Sequence, residues 1–324
     1  MQTRLNIILL ASCTFSLNNV WGQAAPYPSK PVTMVVSTGP GASNDVEARM
    51  YGQKLSEAYG QPFVVDYKPG AGTTLAAIYV AKAAPDGYTL LGVSSSFPAA
   101  AALYRPLPYD PVKDFTPLVL MSKRSTVLMA HPSAPFKTIP EYIAYTKANP
   151  GIVNIATVGA GSGPHINAAW FHMLVNTKAT YIHYKSAAAM QGDLLSGRVH
   201  MTYASLLTGL PHIKSGKLRL IALGNAERSP LLPDVLTVAE QGVPGYDYAS
   251  MFGYMAPAGL PAAIVNKLSV DMAKAARSPD IVKRLETEGG IPIGNTPAQF
   301  AQLLSVEINR YRKLVDELGI KPEE

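Results

Sequence analysis

Apolar positions along this chain come in two rhythms. Short continuous runs at 32–37, 63–66 and 88–93 have the length and β-branched content of buried strands. Between the first two, Tyr51, Leu55, Ala58 and Tyr59 recur at helical spacing. Asn44 and Glu47 have the spacing of a capping box at that helix's start, and Gly60 sits where a C-cap belongs. A second helix runs from the Pro69-Gly70-Ala71-Gly72-Thr73 corner to Ala84, and Pro85-Asp86-Gly87 is a turn. The βαβαβ order predicts a parallel sheet with right-handed crossovers.

A proline-rich stretch, 105–117, interrupts the pattern, which then restarts. Strands are expected at 126–130, 152–156 and 218–223, and a short helix at 140–148. Ile166, Ala169, Trp170, Met173 and Leu174 fit one helix face, with Pro164 suited to its first turn. Near the end, Thr296-Pro297-Ala298-Gln299 has an N-cap, an N1 proline and an N3 partner in order. Phe300, Leu303, Leu304, Ile308, Tyr311, Leu314 and Val315 form the stripe that follows. The pattern predicts two α/β domains, with the chain crossing between them near 120–126 and again near 225–250, and C-terminal helices returning to the first.

Two strand-to-helix corners carry the candidate chemistry. One is Thr38-Gly39-Pro40-Gly41-Ala42-Ser43-Asn44-Asp45; the other is Thr157-Val158-Gly159-Ala160-Gly161-Ser162-Gly163-Pro164-His165. Glycine lets backbone approach a ligand closely, and a helix N-terminus offers free N–H groups to an anion. Facing one another, such corners can hold a carboxylate without lysine or arginine. As bare loops they are equally compatible with tight structural turns. Asp45 has three roles open to it: complementing the helix dipole, fixing its loop, or contacting a ligand. Neither corner is a dinucleotide fingerprint, because Asn44 stands at the third glycine position. Nor is there a P-loop lysine or a nucleophile elbow around Ser162. The histidines lack metal-ligand spacing, so neither a metal nor a cofactor is expected.

Composition places the chain in a compartment. Residues 1–25 have a lone Arg4, a short apolar core and small residues at Gly22, Ala24 and Ala25, the layout of a cleaved secretion signal. Its core is shorter than the roughly 20 residues needed to span a bilayer. Leu10-Ala11-Ser12-Cys13 also fits a lipoprotein box, so lipid anchoring at Cys13 is the alternative. Cys13 is the single cysteine, and ordinary cleavage leaves a mature chain without disulfides. Scattered basic residues and a formal net charge of +6 give no nucleic-acid patch. At 15% of the chain, charged residues fall below the usual quarter or so, as in a compact fold.

Further blocks complete the picture: Tyr27-Pro28-Ser29-Lys30-Pro31-Val32, Pro85-Asp86-Gly87-Tyr88-Thr89-Leu90-Leu91 and Leu107-Pro108-Tyr109-Asp110-Pro111-Val112-Lys113-Asp114-Phe115. Gly192-Asp193-Leu194-Leu195-Ser196-Gly197 and Thr237-Val238-Ala239-Glu240 follow later. With the two corners and Arg49, their order and spacing resemble the tripartite tricarboxylate transporter substrate-binding family, the Bug family of bacterial periplasmic receptors. The resemblance covers nearly all the mature chain. It implies an α/β, type II-like two-lobed periplasmic binding protein, with parallel-rich sheets flanked by helices and a ligand cleft between the lobes. The lobes are expected at 26–125 with 250–324, and at 126–249. By position, the first loop supplies Pro40, Gly41, Ser43, Asn44 and Asp45, with Ser94, Ser95 and Ser96 in the same lobe. Thr157, Gly161, Ser162, His165, Ala204 and Ser205 come from the other.

Three positions depart from the family pattern. Ala42 replaces a glycine, Tyr67 stands where asparagine is common, and Tyr203-Ala204-Ser205 occupies the place of Phe-Asp-Asn. Loss of that acid removes a partner for a ligand amine, while Ala204, Tyr203 and Phe252 favour a flatter, less polar ligand. The expected function is a non-enzymatic, monomeric periplasmic receptor. It captures a small carboxylate, a dicarboxylate or aromatic acid, for delivery to membrane transporter subunits. The rivals are a ligand-loaded partner of a membrane kinase and a periplasmic hydrolase. No serine–histidine–aspartate or paired-carboxylate arrangement supports the hydrolase.

Overall fold

The computed structural model describes residues 27–317 except 71, 72, 105, 160 and 161. The predicted leader with Cys13, and the site candidate Gly161, lie outside the described residues. The first unit is β1 (Val32–Val36), α1 (Ser43–Tyr59), β2 (Phe63–Tyr67), α2 (Thr74–Ala81), β3 (Thr89–Ser94) and α3 (Ser96–Leu103). Next come β4 (Phe115–Ala130), α4 (Ile139–Ala148), β5 (Asn154–Thr157), α5 (Gly163–Leu174), β6 (Thr180–His183), α6 (Ala187–Leu195), β7 (Met201–Ser205), α7 (Leu206–Lys214) and β8 (Arg219–Leu223). The chain closes with β9 (Ala249–Pro257), α8 (Ala262–Ala276), α9 (Pro279–Thr287), β10 (Gly290–Pro292) and α10 (Pro297–Glu317).

The strands join in the order β2-β1-β3-β9-β4-β7-β5-β6, with β8 and β10 also on β4. Both outer ends are parallel: β1 with β2 and β3, and β5 with β6 and β7. The centre corrects the parallel-rich expectation. There β9 runs antiparallel to β3 and β4, and β4 is antiparallel to β7, β8 and β10. The strand expected at 126–130 is only the end of the 16-residue β4. Residues 115–125 of β4 pair with β9, and residues 126–130 with β7. Pro117 and the polar Lys123-Arg124 pair hide this continuity from a periodicity argument, and two register shifts interrupt the ladder between Pro117 and Ser122.

Alternation along the strands feeds a core on each face. Val32, Met34 and Val36 pack under α1, α8 and α9, whereas Val35 points to α2 and the start of α10. In the other half, Leu128, Ala130 and Ile155 meet α4 and α5, while Val127 and Met129 meet α7. Helix α10 divides its stripe. Phe300 and Leu304 join one core, and Tyr311, Leu314 and Val315 the other.

Caps at the chain's two ends behave differently. Gly60 adopts φ +64° and returns its N–H to Ser56, as the C-cap reading requires. Thr296 and Gln299 exchange bonds of 3.3 and 3.0 Å at the start of α10. At α1 the capping-box reading is corrected: the helix starts at Ser43, Ala42 is its N-cap, and no side chain caps it. Glu47 has turned inward instead.

Candidate functional site

Four helices begin at one cavity of about 180 Å³. Ser43 and Asn44 open α1, Ser95 and Ser96 open α3, Gly163 and Pro164 open α5, and Ser205 precedes α7. At none of the four does the N-cap side chain bond back to the helix, although the Ser96 N–H is met by Ser94 Oγ at 3.3 Å. Uncapped starts also occur at α2, α8 and α9; convergence on one space marks this set. The remaining wall is the β4–β9 ladder, with Ser122 and Arg124 facing the cavity beside Ser250, Met251 and Phe252. Tyr248 completes it.

Three buried polar atoms on this lining have no hydrogen-bond partner among the described residues: Thr38 Oγ1, Ser205 Oγ and Arg124 Nη1. Orphaned groups of this kind carry a desolvation cost that a bound acceptor or water can remove. A wider, shallower concavity beside Leu107 and Lys113 meets no helix N-terminus and contains one such atom, Tyr109 Oη.

Arg124 is the unexpected member. It is 3% exposed and holds Glu47 through Nε and Glu288 through Nη2 at 3.0 Å. Ser122 donates to the other Glu47 oxygen at 3.0 Å. Burial opposes the charge on Arg124, yet the two carboxylates hold its pKa above the ordinary value. Burial pushes the Glu47 carboxyl up, against the pull of Arg124.

Among the predicted residues, Ser43, Asn44, Ser94, Ser95, Ser96 and Ser205 line the cavity. Pro40 and Gly41 stand exposed outside that lining, with Gly41 at φ +81°. Asp45 faces its own loop. Its carboxylate accepts from Gly41 N at 2.8 Å, Tyr67 Oη at 2.6 Å and Arg49 Nε at 2.7 Å. Burial raises its pKa, but the bonds from Tyr67, Gly41 and Arg49 outweigh this and hold it below the usual carboxylate value. Tyr67, one of the departures, thus helps to hold the Asp45 carboxylate that bonds the first loop.

Thr157, Ser162 and His165 are not among the residues that line the cavity. Thr157 bonds His183 at 2.6 Å, and Ser162 donates to Gly159 O at 2.8 Å. His165 meets the rings of Tyr181 and His183 edge-on. Ala204 packs against the core beneath α7, and Tyr203 is fully enclosed, whereas Phe252 reaches the cavity. Among the described residues no group of three or more histidine, cysteine or acidic side chains could hold a metal. Nor is any helix there long and apolar enough to cross a membrane.

Sequence reasoning passed over Thr38, Glu47, Ser122, Arg124, Tyr248 and Ser250. One signal was available: Glu47 lies one turn before Tyr51 on the apolar face of α1, where a charge requires a buried partner.

The chain is similar to known proteins in sequence and in fold. Residues 47–320 match the model of the family described as "Tripartite tricarboxylate transporter family receptor". BugT of Bordetella pertussis is 34% identical over 307 residues, 93% of this chain and 94% of its own. The Rhodopseudomonas palustris protein Rpa4515, solved with adipate, superposes with a TM-score of 0.86 at 34% identity, covering 92% of this chain and all of its own. MatC from the same organism, with bound malate, gives 0.82 at 32% identity, covering 89% and 100%. These relatives are solute receptors rather than enzymes, and the carboxylates are theirs. This chain belongs to the tripartite tricarboxylate transporter receptor family, TctC/Bug, and has its α/β periplasmic binding protein fold.

Proposed function

We propose that this receptor captures a small dicarboxylate in the cavity where α1, α3, α5 and α7 begin, for delivery to membrane transporter subunits. The observation that carries the reading is the convergence of four uncapped helix N-termini with orphaned Thr38 and Ser205 hydroxyls. One ligand carboxylate takes the backbone N–H groups and the serine hydroxyls. The adipate and malate of the relatives support the chemical class. A ligand amine has little to bind. Ala204 supplies no acid, Asp45 is held by Tyr67, Arg49 and its loop, and Glu47 is held by Arg124 and Ser122.

The protein works as a monomer of two lobes, 26–125 with 250–324, and 126–249. The exchange of partners along β4, and the cavity lining drawn from both segments, support this division. Export removes the leader between about Gln23 and Pro26. N-terminal sequencing of the exported chain checks this; a start at Cys13 contradicts it.

Calorimetry with succinate, malate, adipate, benzoate and aspartate tests the ligand class. At least one of the first three should bind, and succinate more tightly than aspartate. Benzoate binding best would transfer the site to aromatic acids, and tighter aspartate would show that an acid here does receive an amine. Gly163→Val is the control. A Cβ at Gly163 falls 2.6 Å from the hydroxyl of buried Tyr248. Displacing that ring into the cavity should weaken binding by roughly 30-fold, about 2 kcal/mol. Unchanged affinity would remove the α5 start from the site.

A further inference from the structure

We infer that Arg124 is a ligand-binding residue that reads a second oxygen on the captured acid, so that the site takes carboxylates bearing a distal oxygen acceptor and rejects those ending in a methyl group. This rests on the carboxylate-receptor reading above and names what its ligand must carry at the far end.

Arginine has five N–H groups in a fixed planar fork. On Arg124, Nε is used by Glu47 and Nη2 by Glu288. Nη1 has no partner among the described residues, although the side chain is 3% exposed and lines the cavity. The two carboxylates fix the plane of the fork from different elements, Glu47 on α1 and Glu288 just beyond α9. The direction of the Nη1 donors is therefore set before any ligand arrives.

Charge defines what these donors accept. Glu47 and Glu288 already balance the guanidinium, so Nη1 contributes directed hydrogen bonds more than net positive charge. A carboxylate, hydroxyl, keto or amide oxygen satisfies it; a methyl group leaves it buried and unpaired. Sites built to bond a polar group reject analogues lacking it far more strongly than apolar pockets reject a missing methylene. Arg124 stands opposite Ser250 in the β4–β9 ladder, so the distal end meets strand side chains, while the first carboxylate meets helix starts. The two ends of the ligand are thus read by different chemistry.

The test compares adipate, its monoamide and hexanoate on the wild-type receptor by calorimetry, then on Arg124→Lys. Lysine keeps the charge between Glu47 and Glu288, but one nitrogen cannot serve both acids and a ligand. Adipate and the monoamide should each bind at least 30-fold more tightly than hexanoate. In the variant that margin should fall below about threefold, with hexanoate little changed. Equal binding of all three by the wild type would overturn the inference and leave the receptor reading intact. Failure of all three, together with succinate and malate, would remove both. If the variant does not fold, a crystal structure of the wild type with adipate decides. A ligand oxygen within about 3.2 Å of Arg124 Nη1 supports the assignment; a distal end bonded elsewhere refutes it.

Discussion

Glu47→Ala should lower the unfolding free energy by about 3–5 kcal/mol, the cost typical of removing one partner from a buried ion pair. Glu47 and Arg124 are each only a few per cent exposed, so water entering from the cavity offsets only part of the lost carboxylate. Ser122 loses its acceptor at the same time. Glu288 remains, but it holds only Nη2 and also faces Arg284 at 3.1 Å. The stranded charge, rather than a lost attraction, is the main penalty. Replacing both partners by apolar groups of similar size, Glu47→Leu with Arg124→Met, should therefore recover at least half of the loss. Glu288 tolerates the double change because it is more exposed and keeps Arg284. Urea unfolding of the three proteins checks this. A loss under about 1 kcal/mol in Glu47→Ala, or a double variant worse than the single, would mean that the pair is solvated in solution.

The same two residues mark the boundary of what the sequence discloses. Gly60 and the Thr296–Gln299 cap act through neighbours a few positions away, so their roles are legible from local spacing. The serines at 94–96 follow from the rule that α/β sheets bind ligands beyond strand ends, whereas Ser205 came only with the family resemblance. Glu47 misled because its distance from Asn44 fits a capping box, while its partner Arg124 is 77 positions away. No local pattern carries such a pairing. The central antiparallel ladder was hidden for a related reason. β9 enters between β3 and β4 from more than a hundred residues downstream, a long-range pairing that no local pattern announces. Helix α3 escaped because Ala99 to Leu103 are buried on every side, which leaves no amphipathic period to detect. Its alanines instead let α10 lie close, and that contact lets one terminal helix serve both cores.

Acidification should destabilise the fold steeply between pH 6.5 and about 4, through two histidines on α5. Burial, then neighbouring His183, push His165 down to about 4; burial does the same to His172. The neutral ring of His172 is held at both nitrogens, by Tyr142 Oη at 2.8 Å and Thr177 Oγ1 at 2.7 Å. Above pH 6.5 both rings are neutral in the folded and unfolded chains, and the full stability is present. As the pH falls through 6.5 the unfolded chain takes up protons that the fold refuses, and stability drops until the folded sites protonate near pH 4. A depression of this size corresponds to about 3 kcal/mol per histidine at 1.36 kcal/mol per pKa unit. Helix α5 starts at the cavity wall with Gly163, so ligand affinity should weaken over the same window. Urea unfolding at pH 7.5, 6.5, 5.5 and 4.5 measures the slope, and His172→Gln isolates one contribution. The variant should be less stable than the wild type at pH 7.5 yet lose less on acidification. A wild-type stability that stays flat down to pH 5 would show that these rings reach solvent, and that α5 is packed more loosely than its buried face implies.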